Sequence, residues 1–101
     1  MRPTYMLAVV LFAIAPGAMA QDPALARSLA ATCAGCHGTD GRSVSPVIAP
    51  LAGLPKEFIV AQMKLFRDGK RPATVMHQLA KGYTDVQIDL LAGFLAAQPR
   101  N

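Results

Sequence analysis

The sequence predicts a small all-α domain of about four helical segments. Apolar residues recur at intervals of three and four along three stretches of the chain, which is the spacing of one helix face. No stretch shows the apolar–polar alternation of a half-buried strand. Helix-capping residues or proline precede these stretches, and glycine or proline follows two of them. Residues 21–101 are therefore predicted to form one domain without internal repeats.

The first helix is predicted to begin at Asp22 and Pro23, an N-cap followed by proline at the first helical position. Leu25 and Leu29 would form its apolar face, and Cys33 would lie near its end. The alanines between them make this helix slim, which allows close packing.

Three further segments complete the predicted architecture. One helix runs from Pro55 to about Asp68 and stops at Gly69, and a short segment covers residues 73–81. Thr84 and Gln87 match a capping box that opens the last helix. The predicted buried positions of the two long helices are Ile59, Met63, Phe66, Ile88, Leu91, Phe94 and Leu95.

Residues 1–20 have the features of a secretory signal peptide. Arg2 is the only charge, residues 6–14 form an apolar run, and Ala18-Met19-Ala20 matches a cleavage box. The apolar run is too short to span a bilayer, so no membrane span is expected after cleavage. An uncleaved anchor is the alternative. Export of residues 21–101 to the periplasm is the expectation.

The charge of the chain does not indicate nucleic-acid binding. Without Arg2 the formal net charge of +4 falls to +3. Five of the basic residues fall between positions 56 and 71: Lys56, Lys64, Arg67, Lys70 and Arg71. This cluster is interpreted either as a solvated helix face or as a docking patch.

The run Cys33-Ala34-Gly35-Cys36-His37 is the strongest motif in the sequence. A C-x-x-C-H run is the attachment signature of a c-type haem. On one helical turn the two sulfurs point the same way and can form thioether bonds to one porphyrin edge. His37 then lies under the iron as an axial ligand. One covalently bound haem c, around which the helices wrap, is therefore predicted.

Other interpretations of the two cysteines remain. A thioredoxin-like redox pair needs a βαβ pattern, which is not evident. A zinc site would need a second pair of ligands at the usual spacing, but the only other candidates are His37 and His77. A plain disulfide between Cys33 and Cys36 is the third alternative.

The second axial ligand of the iron has to come from Met63, Met76 or His77. Methionine and histidine are the side chains that normally fill this position. Met63 lies on a predicted apolar face, where methionine is more often core filling. Met76 lies in a separate short segment and is the predicted ligand. His77 would point about 100° away from Met76 on a helix and is expected to be exposed.

The long connection from Gly35 to Leu54 is rich in glycine, serine and proline. A loop of this length needs a function, and here it is predicted to cover one haem face. A ligating histidine usually donates its second N–H to an acceptor that orients the ring. A backbone carbonyl of this loop, near Pro46 or Pro50, is the expected acceptor for His37.

The order of C-x-x-C-H motif, loop, Met76 and capped final helix resembles the small class I c-type cytochromes. Three stretches are similar to the cytochrome subunit of flavocytochrome c sulfide dehydrogenase. They are residues 33–39, residues 43–46 and residues 74–83 with Ala-Lys-Gly-Tyr at their end. Some members of that family have two haem domains, whereas this chain has one C-x-x-C-H motif.

The resemblance implies an electron-transfer subunit that is not an enzyme by itself. It would accept electrons from a sulfide-oxidising flavoprotein and pass them to a downstream acceptor. A free-standing, soluble monohaem carrier is the alternative. A haem-based ligand sensor or peroxidase-like protein, in which Met76 leaves the iron, is the third.

Overall fold

The structure is a computed structural model that describes residues 1, 3 and 22–100. The described chain forms five α-helices and one 3₁₀ helix, and it contains no strand. The helices are α1 (Pro23–Ala31), α2 (Ala34–His37), α3 (Lys56–Arg67), α4 (Met76–Ala80) and α5 (Asp85–Ala96), with a 3₁₀ helix η1 (Thr39–Gly41) after α2. The predicted all-α class is confirmed, although the helical segments outnumber the four expected.

The predicted signal peptide lies outside the described residues, apart from Met1 and Pro3. Among the described residues, no helix is both long enough and apolar enough to cross a membrane.

Helix α1 begins as the sequence predicts, and of its predicted apolar face Leu29 packs against the core whereas Leu25 does not. The Asp22 side chain accepts a hydrogen bond from the Ala24 backbone, and Pro23 is the first helical residue. Ala26 and Ala30 are buried, whereas Leu25 is 46% exposed. The buried face is therefore narrower than predicted, because two alanines bring the α1 backbone close to its neighbours. The helix ends at Ala31, so Cys33 lies beyond it.

Helix α5 is the centre of the core. It packs against α1 and α3, and α4 packs against α3. The largest fully buried side chains are Ile88, Leu91 and Leu95, all on α5. Each contributes about 1.5–3 kcal/mol by leaving water. Thr84 and Gln87 form the predicted capping box at its start.

Helix α3 presents Ile59 and Met63 to this core, as predicted. Two ion pairs link it to α5, Lys56 to Asp89 at 3.0 Å and Arg67 to Asp85 at 2.6 Å. Two of the five clustered basic residues are thus engaged in pairing between helices, which favours the helix-face interpretation over a docking patch.

Helix α4 is shorter than the predicted segment. Residues 73–75 are not helical, and Val75 has an extended φ of −138°. This φ lies outside the α-helical region. The first helical residue is therefore Met76.

Candidate haem site

The C-x-x-C-H run forms one turn of helix. The His37 amide donates to the Cys33 carbonyl at 2.9 Å, and the Gly38 amide donates to the Ala34 carbonyl at 3.0 Å. Residues three apart on such a turn lie on the same face, so the side chains of Cys33 and Cys36 project together. The predicted placement of both thiols on one helical turn is confirmed.

Both cysteines are free thiols in different environments. Cys33 is half-buried and Cys36 is exposed. Burial raises the pKa of the Cys33 thiol, and the neighbouring Thr32 hydroxyl has a smaller influence in the opposite direction. The structure therefore does not contain the disulfide that was one alternative for this pair.

The orientation of the His37 ring is set by the loop that follows. Its Nδ1 atom lies 2.7 Å from the Ala49 carbonyl oxygen. A carbonyl oxygen can only accept, so Nδ1 carries the hydrogen and Nε2 keeps its lone pair. The expectation of a loop carbonyl is confirmed. The acceptor, Ala49, directly precedes Pro50, and this contact between residues twelve apart was not predictable from spacing.

The chain reverses immediately after His37 because residue 38 is glycine. Gly38 has a φ of +85°, which other residues rarely adopt. A Cβ added there would lie within 2.1 Å of the Arg42 carbonyl oxygen. Any larger residue would push the η1 turn away from α2. The glycine therefore allows the loop to fold back towards the histidine.

The far end of the loop is tied to the core. The Gly41 carbonyl accepts from the Leu51 and Ala52 amides at 2.8 and 3.1 Å. The Gly53 amide donates to the Leu95 carbonyl of α5 at 2.9 Å. These bonds anchor the segment that presents Ala49, so the His37 ring is oriented by a loop supported by the main helix.

The three candidates for the second axial ligand lie in different surroundings. Met63 is 8% exposed and belongs to the core cluster. Met76 is half-buried at the first position of α4 and packs at the edge of that cluster. A core position favours a packing role for Met63, whereas Met76 is only half-buried and lies at the edge of the core.

His77 differs from the expectation of an exposed side chain. It is half-buried, and its Nδ1 atom is buried without a hydrogen-bond partner among the described residues. The pattern of the sequence offered no indication of this burial.

The donor groups fit a c-type haem. The described residues supply two free thiols on one turn, an imidazole nitrogen with a free lone pair, and a methionine that is only half-buried. Cysteine thiols attach a c-type haem, and imidazole and thioether are common ligands of its iron. Among the described residues, no cluster of three or more histidine, cysteine or carboxylate side chains could hold a metal ion, so the zinc alternative has no ligand set there.

Comparison with known proteins identifies the family. No protein-family profile matches the sequence. The cytochrome subunit of sulfide dehydrogenase from Chlorobaculum tepidum is 47% identical over 65% of this chain and 59% of its own length. Cytochrome c-554(548) from Halomonas halodenitrificans is 33% identical over 78% of this chain and 99% of its own length. Cytochrome c4 from Pseudomonas aeruginosa is 35% identical over 78% of this chain and 39% of its own length.

The chain therefore belongs to the c-type cytochromes. Its fold is the all-α fold of the class I members, and its cofactor is a covalently attached haem c. The chain spans about three fifths of the sulfide dehydrogenase subunit and about two fifths of cytochrome c4.

Proposed function

We propose that Cys33 and Cys36 attach the haem through thioether bonds and that His37 and Met76 are the axial ligands of its iron. The shared turn of Cys33 and Cys36 and the free Nε2 lone pair of His37 support this assignment. When bound, the haem supplies one-electron redox chemistry between ferric and ferrous iron.

The proposed ligands determine how the protein uses this chemistry. The hydrogen bond from Nδ1 to Ala49 holds the His37 ring in one orientation and increases the basicity of Nε2. The thioether of Met76 prefers the softer ferrous iron, so His/Met ligation raises the reduction potential. With both axial positions occupied, no site for substrate remains. The domain then transfers electrons without catalysing a reaction by itself.

Substitution of each candidate ligand tests the Met76 assignment. In Met76→Ala, the absorption of the sulfur–iron bond in ferric protein should disappear and the reduced protein should bind carbon monoxide. Met63→Leu preserves volume in the core and should retain the absorption. His77→Gln is the second control, and it should also retain the absorption. Loss of the absorption in either control, with retention in Met76→Ala, would overturn the assignment.

Carbon monoxide binding by the wild-type protein also tests the alternative of a haem-based ligand sensor. A haem-based sensor would bind carbon monoxide readily in its reduced state, because Met76 would leave the iron. The proposed carrier should not bind it.

The partner we favour is a sulfide-oxidising flavoprotein in the periplasm. The observation that carries this proposal is the 47% identity to the cytochrome subunit of the Chlorobaculum tepidum sulfide dehydrogenase. The chain would accept electrons from the flavin of that partner and pass them to a downstream acceptor. The predicted signal peptide supports the location.

Size-exclusion chromatography of a native periplasmic fraction tests this partner directly. Haem and flavin absorbance should co-elute at a mass well above that of one small domain. A matched run after mild dissociation should move the haem alone to the lower mass. Haem that elutes only at the mass of the single domain would contradict the subunit proposal.

A free-standing carrier is the second candidate. The match to cytochrome c-554(548) covers 99% of that protein, so that relative needs no second domain. Elution of haem alone in the same chromatography would favour this candidate.

A further inference from the structure

The segment that contains Met76 has little local structure to stabilise it. We call residues 70–83 the Met76 segment. Its residues 70–75 are exposed and non-helical, and α4 has only five residues. No side chain caps the start of α4. Helices this short are not stable alone, so tertiary contacts must hold the segment in place.

The start of the Met76 segment is held by α3. The Arg71 guanidinium donates to the Gln62 side-chain carbonyl and lies 4.6 Å from the centroid of the Phe66 ring. In the middle of the segment, the Ala80 side chain is fully buried in the core. These contacts fix the segment against α3 and the core cluster.

The end of the Met76 segment is held by a different helix. The Tyr83 hydroxyl lies 2.5 Å from Thr32 Oγ1, and Thr32 Oγ1 lies 2.8 Å from the Leu29 carbonyl oxygen. Thr32 donates its only hydroxyl hydrogen to this carbonyl, so the Tyr83 hydroxyl is the donor to Thr32. The Tyr83 ring packs against the core as well. The bond therefore joins the end of the Met76 segment to the residue that caps the C-terminus of α1.

The position of Thr32 gives this bond its significance. Thr32 is adjacent to Cys33, and Tyr83 lies seven residues after Met76. Under the proposed ligation, the haem would link Cys33 to Met76, and the Tyr83–Thr32 hydrogen bond links the same two segments independently. The two connections close a ring that contains both the attachment residue and the axial ligand.

We propose that Tyr83 is a positioning residue that keeps the Met76 sulfur on the iron by bonding to Thr32. This inference rests on the proposed Met76 ligation. An external ligand that displaces Met76 has to move the segment, and movement of its end breaks the Tyr83–Thr32 bond. Without the bond, displacement becomes easier, although the residues that contact the iron are unchanged.

Imidazole titration of the ferric holoprotein tests the proposal. Tyr83→Phe keeps the ring in the core and removes only the hydroxyl. Loss of one hydrogen bond should tighten the apparent affinity for imidazole about fivefold. Thr32→Val should have a similar effect, and the double variant should add little to either single variant. Thr32→Ser keeps the hydroxyl and should behave as the wild type.

Lys56→Gln is the matched control. It breaks the Lys56–Asp89 pair between α3 and α5, away from the Met76 segment, and should leave the imidazole affinity unchanged. An unchanged affinity in Tyr83→Phe, or an equal shift in Tyr83→Phe and Lys56→Gln, would overturn the role of Tyr83.

The sulfur–iron absorption of the ferric wild type distinguishes failure of the Met76 ligation from failure of the Tyr83 role. If the wild type lacks this absorption, the Met76 ligation itself is wrong. If the absorption is present and Tyr83→Phe binds imidazole like the wild type, only the positioning role of Tyr83 is wrong.

Discussion

The Nδ1 atom of His37 lies 2.7 Å from the carbonyl oxygen of Ala49, which directly precedes Pro50. The proline ring excludes the helical conformation for the residue before it and favours an extended one. Pro50 therefore restricts the direction of the Ala49 carbonyl. A loop residue that touches neither thiol thus controls the orientation of the proposed axial imidazole.

Replacement of Pro50 should make the orientation of the His37 ring less fixed. In Pro50→Ala, the unfolded chain gains freedom and the protein should lose about 0.4–1 kcal/mol of stability. The Nδ1–H of His37 should also exchange faster with solvent, because its acceptor is less restricted. NMR hydrogen exchange on the reduced holoprotein measures this proton. Pro46→Ala, in the same loop, should cost similar stability without changing the ring exchange, and equal exchange in both variants would contradict the role of Pro50.

Core packing on α5 should dominate the stability of the domain. Leu91 is 1% exposed, so Leu91→Ala should lower the free energy of unfolding by about 2–5 kcal/mol. Val86 lies on the same helix and is 70% exposed, so Val86→Ala should change it by less than about 0.5 kcal/mol. Denaturant unfolding followed by circular dichroism measures both values. Similar losses in the two variants would contradict the assigned core.

The capping box at the start of α5 should contribute measurably to the stability of the domain. Thr84→Ala removes the side-chain acceptor for the Gln87 amide and should cost about 0.5–2 kcal/mol of stability. Thr84→Ser keeps the acceptor and should recover most of this loss. Thermal unfolding of the three proteins is the measurement. A serine variant as unstable as the alanine variant would show that the hydroxyl is not the stabilising group.

The Arg67–Asp85 pair should make stability depend on pH in the acid range. A hydrogen bond and the charge of Arg67 lower the pKa of Asp85 below its usual value. The carboxylate of a group with a lowered pKa stabilises the folded state at neutral pH. That contribution is lost as the pH falls below the usual value, near 3.8, and through the lowered pKa.

Asp85→Asn should therefore be slightly less stable than the wild type at neutral pH, and the difference should shrink in acid. The effect is small because the pair is exposed. Urea unfolding across a pH series measures it. Arg67→Gln is the partner variant, and the double variant should be less destabilised than the two single losses combined. A difference that is independent of pH would contradict the pairing.

Patterns within a few residues were predictable from the sequence. The all-α class and the cap at Asp22 and Pro23 follow from local preferences. Local preferences also predict the capping box at Thr84 and Gln87 and the buried face around Ile88 and Leu91. The common turn of Cys33 and Cys36 also follows, because their spacing matches helical geometry.

Local patterns predicted the wrong burial for two residues whose exposure is set by the packing of the helices. Leu25 has the right spacing for the core but lies half outside it, because α1 approaches α5 through Ala26 and Ala30. His77 was expected to be exposed and has a buried ring nitrogen. Side-chain chemistry and spacing do not determine which neighbour covers a given face of a short helix.

The sequence by itself therefore determined the helices, the attachment motif and the short set of possible iron ligands, because these depend on residue type and on contacts a few positions apart. Only the tertiary structure paired His37 with Ala49 and Tyr83 with Thr32. The physical reason is that such bonds join residues twelve and fifty-one positions apart. The approach of those residues is decided by how the loop and the helices pack together, and local preferences do not encode that packing.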